Sequence, residues 1–171
     1  LFTSYSMLMQ VYNRVSGDLF TDGISVLAQK LSGSQSALTR AFRDDPESVL
    51  LGTESFWEGV DIQGESLEIL FLTKLPFGVP TDPYISAQMD RITKAGGNSF
   101  MEYSVPEAVI KFRQGIGRLI RSESDMGALL VLDRRIVQQR YGKLFIDSAP
   151  VNVIQATSKE QLIRILTDHL A

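Results

Sequence analysis

The sequence predicts a doubly wound α/β domain. The sheet is mainly parallel, with about six strands and helices on both faces. Two observations carry this. Short β-rich runs alternate with segments of helical period along the chain. The runs are also apolar along their length rather than alternating, as in strands covered on both sides.

The runs fall at residues 1–4 (LFTS), 24–29 (ISVLAQ), 48–53 (SVLLGT), 67–75 (LEILFLTKL), 127–133 (GALLVLD) and 143–148 (KLFIDS). Between them, Leu8, Val11, Tyr12, Val15 and Leu19 keep helical spacing, as do Leu38, Ala41 and Phe42 before Pro46. Asp44 and Asp45 read as a helix exit ahead of that proline. Further helices are expected around 85–94 and 105–121, with KAGGNS (94–99) as the loop between them. A last helix carries Leu162, Ile165, Leu166 and His169, opened by the capping box Ser158-x-x-Gln161. Lone His169 reads as structural.

The chain has 171 residues and 44% apolar content, enough for one domain with a sizeable core. No run approaches the roughly 18 apolar residues of a membrane span. There is no cysteine, so disulfides and thiolate metal sites are excluded within this segment, which suits a cytoplasmic protein. The net charge of -3 excludes a polycation that coats DNA non-specifically. The apolar start without Met reads as a piece of something longer, a single domain over 1–171.

Chemistry is concentrated in two places. The first is the helix at 105–121. Ser104-x-x-Glu107 reads as its capping box, with Pro106 in the first turn. Val109, Phe112, Ile116, Leu119 and Ile120 then cluster on one side. Glu107, Lys111, Gln114, Arg118 and Arg121 lie almost opposite, and Ile110 sits off the pattern. A solvated charged face with a Glu107–Lys111 pair explains part of this, and cations near a helix carboxyl end suit its dipole. It does not explain Gly115 and Gly117, which together cost about 2 kcal/mol of helix propensity. Bare backbone beside an amide and two guanidiniums is also how a γ-phosphate is clamped.

The second is the loop GTESFWEGVDIQGE after the third run. Gly59 to Gly64 has the spacing of a P-loop start, but Glu65 stands where the lysine belongs. A turn-rich loop with Phe56 and Trp57 plugging the core is one reading. In the other, Gly59 lets a phosphate approach backbone N–H, Asp61 accepts from a ribose hydroxyl, and Thr53 donates to a nucleic-acid phosphate. Thr3, Ser4 and Lys74 at strand ends are further phosphate candidates, although a helix N-cap explains Ser4 equally well. In such sheets ligands sit beyond the carboxyl ends of the strands, so the arginine stripe is expected to face that crest. No Ser–His–Asp set and no metal-ligand cluster is visible.

GTESFWEGVDIQGESL, LTKLPFGVPTDP, QGIGRLIRSESDMGALLVLDRR and YGKLFIDSAP, in that order, resemble the C-terminal motor domain of the DinG/XPD-like superfamily 2 DNA helicases, nearest the DinG branch. The resemblance covers nearly the whole chain. It implies a second RecA-like domain that closes over ATP held by an N-terminal RecA-like domain of the same protein. Gln114, Arg118 and Arg121 would face the γ-phosphate. Gly59 and Asp61 would contact the nucleotide, and Ser4 and Thr53 the backbone of single-stranded DNA. ATP and Mg²⁺ are the implied cofactors, the metal held mainly by the other domain. Glu58 stands where many superfamily 2 helicases carry arginine and is given no nucleotide role. Some relatives carry an exonuclease domain and unwind little. A plain scaffold with a wet arginine face, or a non-catalytic nucleotide- or DNA-binding module, stands as the alternative.

Overall fold

A strand pair exists where two apolar runs meet in register, and the computed structural model has two such pairs among its described residues. It describes residues 1–53, 56, 67–119 and 126–170, and of Arg118 the backbone alone. Strands β1 (Ser25–Ala28) and β2 (Ser48–Leu51) pair in parallel, Ser25 opposite Ser48. Strands β3 (Ile69–Leu72) and β4 (Ala128–Val131) also pair in parallel, Ile69 opposite Ala128.

Leu1 and Phe2 join the two pairs. Phe2 N donates to Gly52 O at 2.9 Å, next to the end of β2. On its other side Leu1 N donates to Phe71 O, and Thr73 N donates to Leu1 O at 3.2 Å, the pattern of a parallel neighbour to Leu72. The expected run at 1–4 therefore acts as a strand over its first two residues. Ser4 then caps the next helix.

Seven α-helices fill the remaining described chain: α1 (Tyr5–Thr21), α2 (Gln35–Asp44), α3 (Pro83–Lys94), α4 (Val105–Leu119), α5 (Arg135–Gln138), α6 (Gly142–Ser148) and α7 (Lys159–Leu170). Successive strand residues point to opposite faces, and the packing shows it. Phe2, Ala28 and Leu51 pack with Leu8 of α1. Leu1, Leu27 and Leu50 pack with Leu38 of α2 and with Phe56 on the other side. The β1–β2 half is thus covered on both faces. Under β3 and β4, Leu70 and Leu72 meet Val105, Ala108, Phe112, Ile116 and Leu119 of α4 and Phe145 of α6. Each such Val, Leu, Ile or Phe side chain contributes roughly 1.5–3 kcal/mol by leaving water.

Two expectations are corrected. The run at 143–148 is not a sixth strand but helix α6. Lys143 Nζ reaches Asp147 Oδ1 at 2.6 Å one turn later, and Phe145 is fully buried while Leu144 is exposed. Short apolar runs do not separate strand from buried helix by period alone. Gly142 opens this helix because a Cβ there would sit 2.0 Å from Ile136 O.

The cap of the arginine helix is Asn98, not Ser104. Asn98 Oδ1 accepts from Met101 N at 3.1 Å, and Glu102 Oε1 accepts from Asn98 N at 2.7 Å. A π-helical turn, Phe100–Ser104, then runs directly into α4. The wider turn admits Pro106, which lacks an N–H and would crowd the carbonyl four residues back in a regular helix. Ser104 Oγ instead donates to Met89 Sδ at 3.7 Å. The second expected capping box forms with one change. Ser158 Oγ accepts from Gln161 N at 3.2 Å, while Gln161 Oε1 accepts from Thr157 N at 2.8 Å.

Candidate functional site

Those of the residues singled out for chemistry that the structure describes separate to opposite ends of the sheet. Helix α4 returns from the carboxyl end of β3 to the amino end of β4, so it runs antiparallel to both. Its first turn, at Val105, packs with Leu75 just past β3. Its last described residue, Leu119, lies where a Cβ on Gly127 would meet Leu119 Cδ1 at 2.7 Å and Glu68 O at 3.1 Å. Those are the amino ends of β4 and β3. The carboxyl end of α4, which carries the Arg118 position, therefore lies at the base of the sheet, whereas the sequence placed it at the crest. The error was directional: a crossover helix between parallel strands must end where the next strand begins.

On α4 the buried face is the expected one. Phe112, Ile116 and Leu119 are buried, Val109 is half-buried, and Ile110 is exposed. Gln114 and Gly117 are exposed on the outer side, and a Cβ at Gly117 would meet nothing within 4 Å. Arg118 follows on the same helix. Arg121, Gly59 and Asp61 lie outside the described residues, as do Trp57 and Ile120. Phe56 is buried in the core as expected.

The crest gathers the other candidates. Ser4 Oγ accepts from Met7 N at 3.3 Å as the N-cap of α1, which leaves its own O–H free to donate. Thr3 and Lys74 are exposed. Thr53 differs from expectation: its N and its Oγ1 both donate to Gln29 Oε1, each at 2.8 Å. A hydroxyl has one donor, so Thr53 can donate to a phosphate only once that bond opens. Sequence reasoning missed three neighbours. Gln29 holds Thr53. Lys30 has a positive φ of 67° and stacks its ammonium 4.9 Å over the Tyr5 ring. Thr73 Oγ1 donates to Leu1 O at 3.1 Å. No sequence periodicity marks any of them, because each contact joins segments distant in the chain.

Asp133, just past β4, was also missed. It is the one buried charged side chain among the described residues. Its Oδ2 accepts from Leu75 N at 2.9 Å, and its Oδ1 from Arg135 N at 3.0 Å. Arg135 Nη2 donates to Oδ2 at 2.6 Å, and Nε bridges both oxygens at 3.0 Å. The same guanidinium lies 5.4 Å over the Phe77 ring. Burial alone would raise the Asp133 pKa. The hydrogen bonds from Arg135 and from the Leu75 and Arg135 amides outweigh it and hold the carboxyl below its ordinary value. Hydrogen bonding to Asp133 in turn raises Arg135.

Among the described residues, no group of three or more His, Cys, Asp or Glu side chains could hold a metal ion. No described helix is long and apolar enough to cross a membrane. His169 Nε2 lies 3.1 Å from Gly127 O, a structural contact at the base.

A family model described as helicase C-terminal domain matches residues 1–152. The chain is 41% identical over 163 residues to a Bacillus subtilis protein named 3'-5' exonuclease DinG, covering 95% of this chain and 18% of that one. It is 54% identical over 103 residues to the ATP-dependent DNA helicase DinG of Photobacterium profundum, covering 60% and 15%. It is 40% identical over 152 residues to the ATP-dependent DNA helicase YoaA of Haemophilus influenzae, covering 88% and 23%. The chain thus spans less than a quarter of each of these relatives. With its parallel strands and covering helices, the chain belongs to the helicase C-terminal domain family, which has a RecA-like α/β fold.

Proposed function

We propose that this chain is the second RecA-like lobe of an ATP-dependent DNA helicase. Residues 1–171 form one domain of a longer cytoplasmic protein. The observation that carries the reading is the outer face of α4, where Gln114 and a sterically open Gly117 are exposed beside the Arg118 position. Family membership and the helicase names of the relatives support it.

In this reading, ATP sits between α4 and an N-terminal RecA-like lobe that supplies the phosphate cradle and the ligands for Mg²⁺. Gln114, Arg118 and Arg121 reach the γ-phosphate, and Gly59 and Asp61 contact the nucleotide. Arginine suits a phosphate because its planar fork donates two parallel bonds and keeps its charge. Such a residue stabilises the charge developing on the transferred phosphoryl group, an effect worth ~10³- to 10⁵-fold in turnover. Thr3, Ser4, Thr53 and Lys74 contact single-stranded DNA at the crest, with Gln29 releasing Thr53 as DNA arrives.

The two sites lie at opposite ends of one packed layer. Closure of the lobes on ATP at the base therefore moves the crest as a rigid body, and hydrolysis reverses it. DNA-stimulated ATPase of the full-length protein, beside the isolated chain, tests this. The full-length protein should turn over ATP faster with DNA, and the isolated chain should be inactive. Absence of stimulation would refute the motor reading. The exonuclease name of the Bacillus relative favours a second reading, in which the lobe serves a nuclease and unwinds little. Nucleolytic release of labelled nucleotides without strand separation would select it.

A further inference from the structure

We propose that Asp133 is a positioning residue that holds Lys74 on the DNA track. The inference rests on the motor reading, because it concerns the DNA end of that machine.

The chain from 73 to 80 leaves β3 without regular structure. Two tethers flank Lys74. Thr73 bonds back to Leu1 O through both N and Oγ1. Leu75 N donates to Asp133 Oδ2, a contact between residues 58 positions apart. Leu75 itself is fully buried, while Lys74 between the tethers is exposed. Farther along, the Arg135 guanidinium that pairs with Asp133 covers the Phe77 ring. That ring also stacks on Phe100 at 5.6 Å and meets Phe145 edge-on.

Stability alone does not account for this arrangement. Asp133 is buried but the Arg135 side chain is 42% exposed, and an ion pair open to water on one side contributes little to stability. What the pair adds is geometry: it accepts one particular backbone N–H and thereby fixes the residue before it. Asp133 is buried below the crest and makes no DNA contact itself. Its effect on DNA passes through Lys74, whose backbone is already fixed by the tethers on either side, so less has to be ordered on binding.

The test uses the full-length protein, a labelled oligothymidylate and fluorescence anisotropy over a range of salt. Asp133→Asn keeps the volume, removes one negative charge and leaves a single acceptor oxygen for which the Leu75 amide competes with the Arg135 amide and guanidinium. Charge alone would tighten DNA binding. The proposal predicts the reverse, about three- to tenfold weaker binding. It also predicts a log–log salt slope reduced by about 0.7, the loss of one phosphate contact on a single strand. Lys74→Ala should give the same two changes, and the double variant no further change. In DNA-stimulated ATPase, Asp133→Asn should raise the half-saturating DNA concentration and leave the rate at saturating DNA within about twofold. Arg135→Lys, at a half-exposed side chain, should show the same pattern if Asp133→Asn does not fold.

Tighter binding, an unchanged salt slope, or additive effects in the double variant would overturn the latch while leaving the motor reading intact. A wild-type protein that neither binds the oligonucleotide nor hydrolyses ATP would overturn both.

Discussion

Replacing Gly117 with alanine separates a working face of α4 from a merely wet one. An added Cβ at this position meets nothing within 4 Å, and the residue is exposed in a regular helix. The substitution therefore gains the full propensity difference, about 1 kcal/mol, without a packing penalty. For a chain of this size that raises the thermal midpoint by about 2–4 °C. Thermal unfolding of the chain, followed by far-ultraviolet circular dichroism, reads this change. In the full-length protein the same methyl group stands on the surface that must approach the nucleotide. Displacing reacting groups by about 1 Å costs on the order of 100-fold, so DNA-stimulated ATPase should fall by about 10- to 100-fold. A more stable variant with unchanged turnover would return the stripe to a solvated face. A less stable variant would contradict the local geometry itself.

Ser4→Ala removes the N-cap of α1 and should lower stability by about 1 kcal/mol in urea unfolding. It should also weaken oligothymidylate binding, which loss of a cap alone would not do. The low pKa of Asp133 predicts a pH signature. A depressed carboxyl contributes stability that is fully present above its unfolded value, about 3.9, and that is lost as pH falls through the lower folded value. Urea unfolding of wild type and Asp133→Asn across an acid series should therefore show a stability gap that closes below about pH 4.

The four described strands were legible because they read as unbroken apolar runs, although only the β1–β2 pair is covered on both faces and Phe71 of β3 is exposed. The buried face of α4, with Phe112, Ile116 and Leu119, was legible because it is a local period. Failures came where local pattern is silent. Lys143–Asp147 and Phe145 make a helix from a run that reads equally as a strand. Pro106 is housed by a π turn that no short motif announces, which moved the cap from Ser104 back to Asn98. Asp133, Gln29 and Thr73 owe their roles to partners 58, 24 and 72 residues away. No sequence window contains both members of such a pair. The direction of α4, by contrast, followed from parallel topology and was available before any coordinates.

ATP turnover by full-length Arg121→Ala in the presence of single-stranded DNA tests the central claim most directly. If the outer face of α4 completes an ATP site held by a neighbouring lobe, turnover should fall by about 10³-fold or more, with ATP-analogue affinity largely retained. Near-normal turnover in that variant would contradict the account.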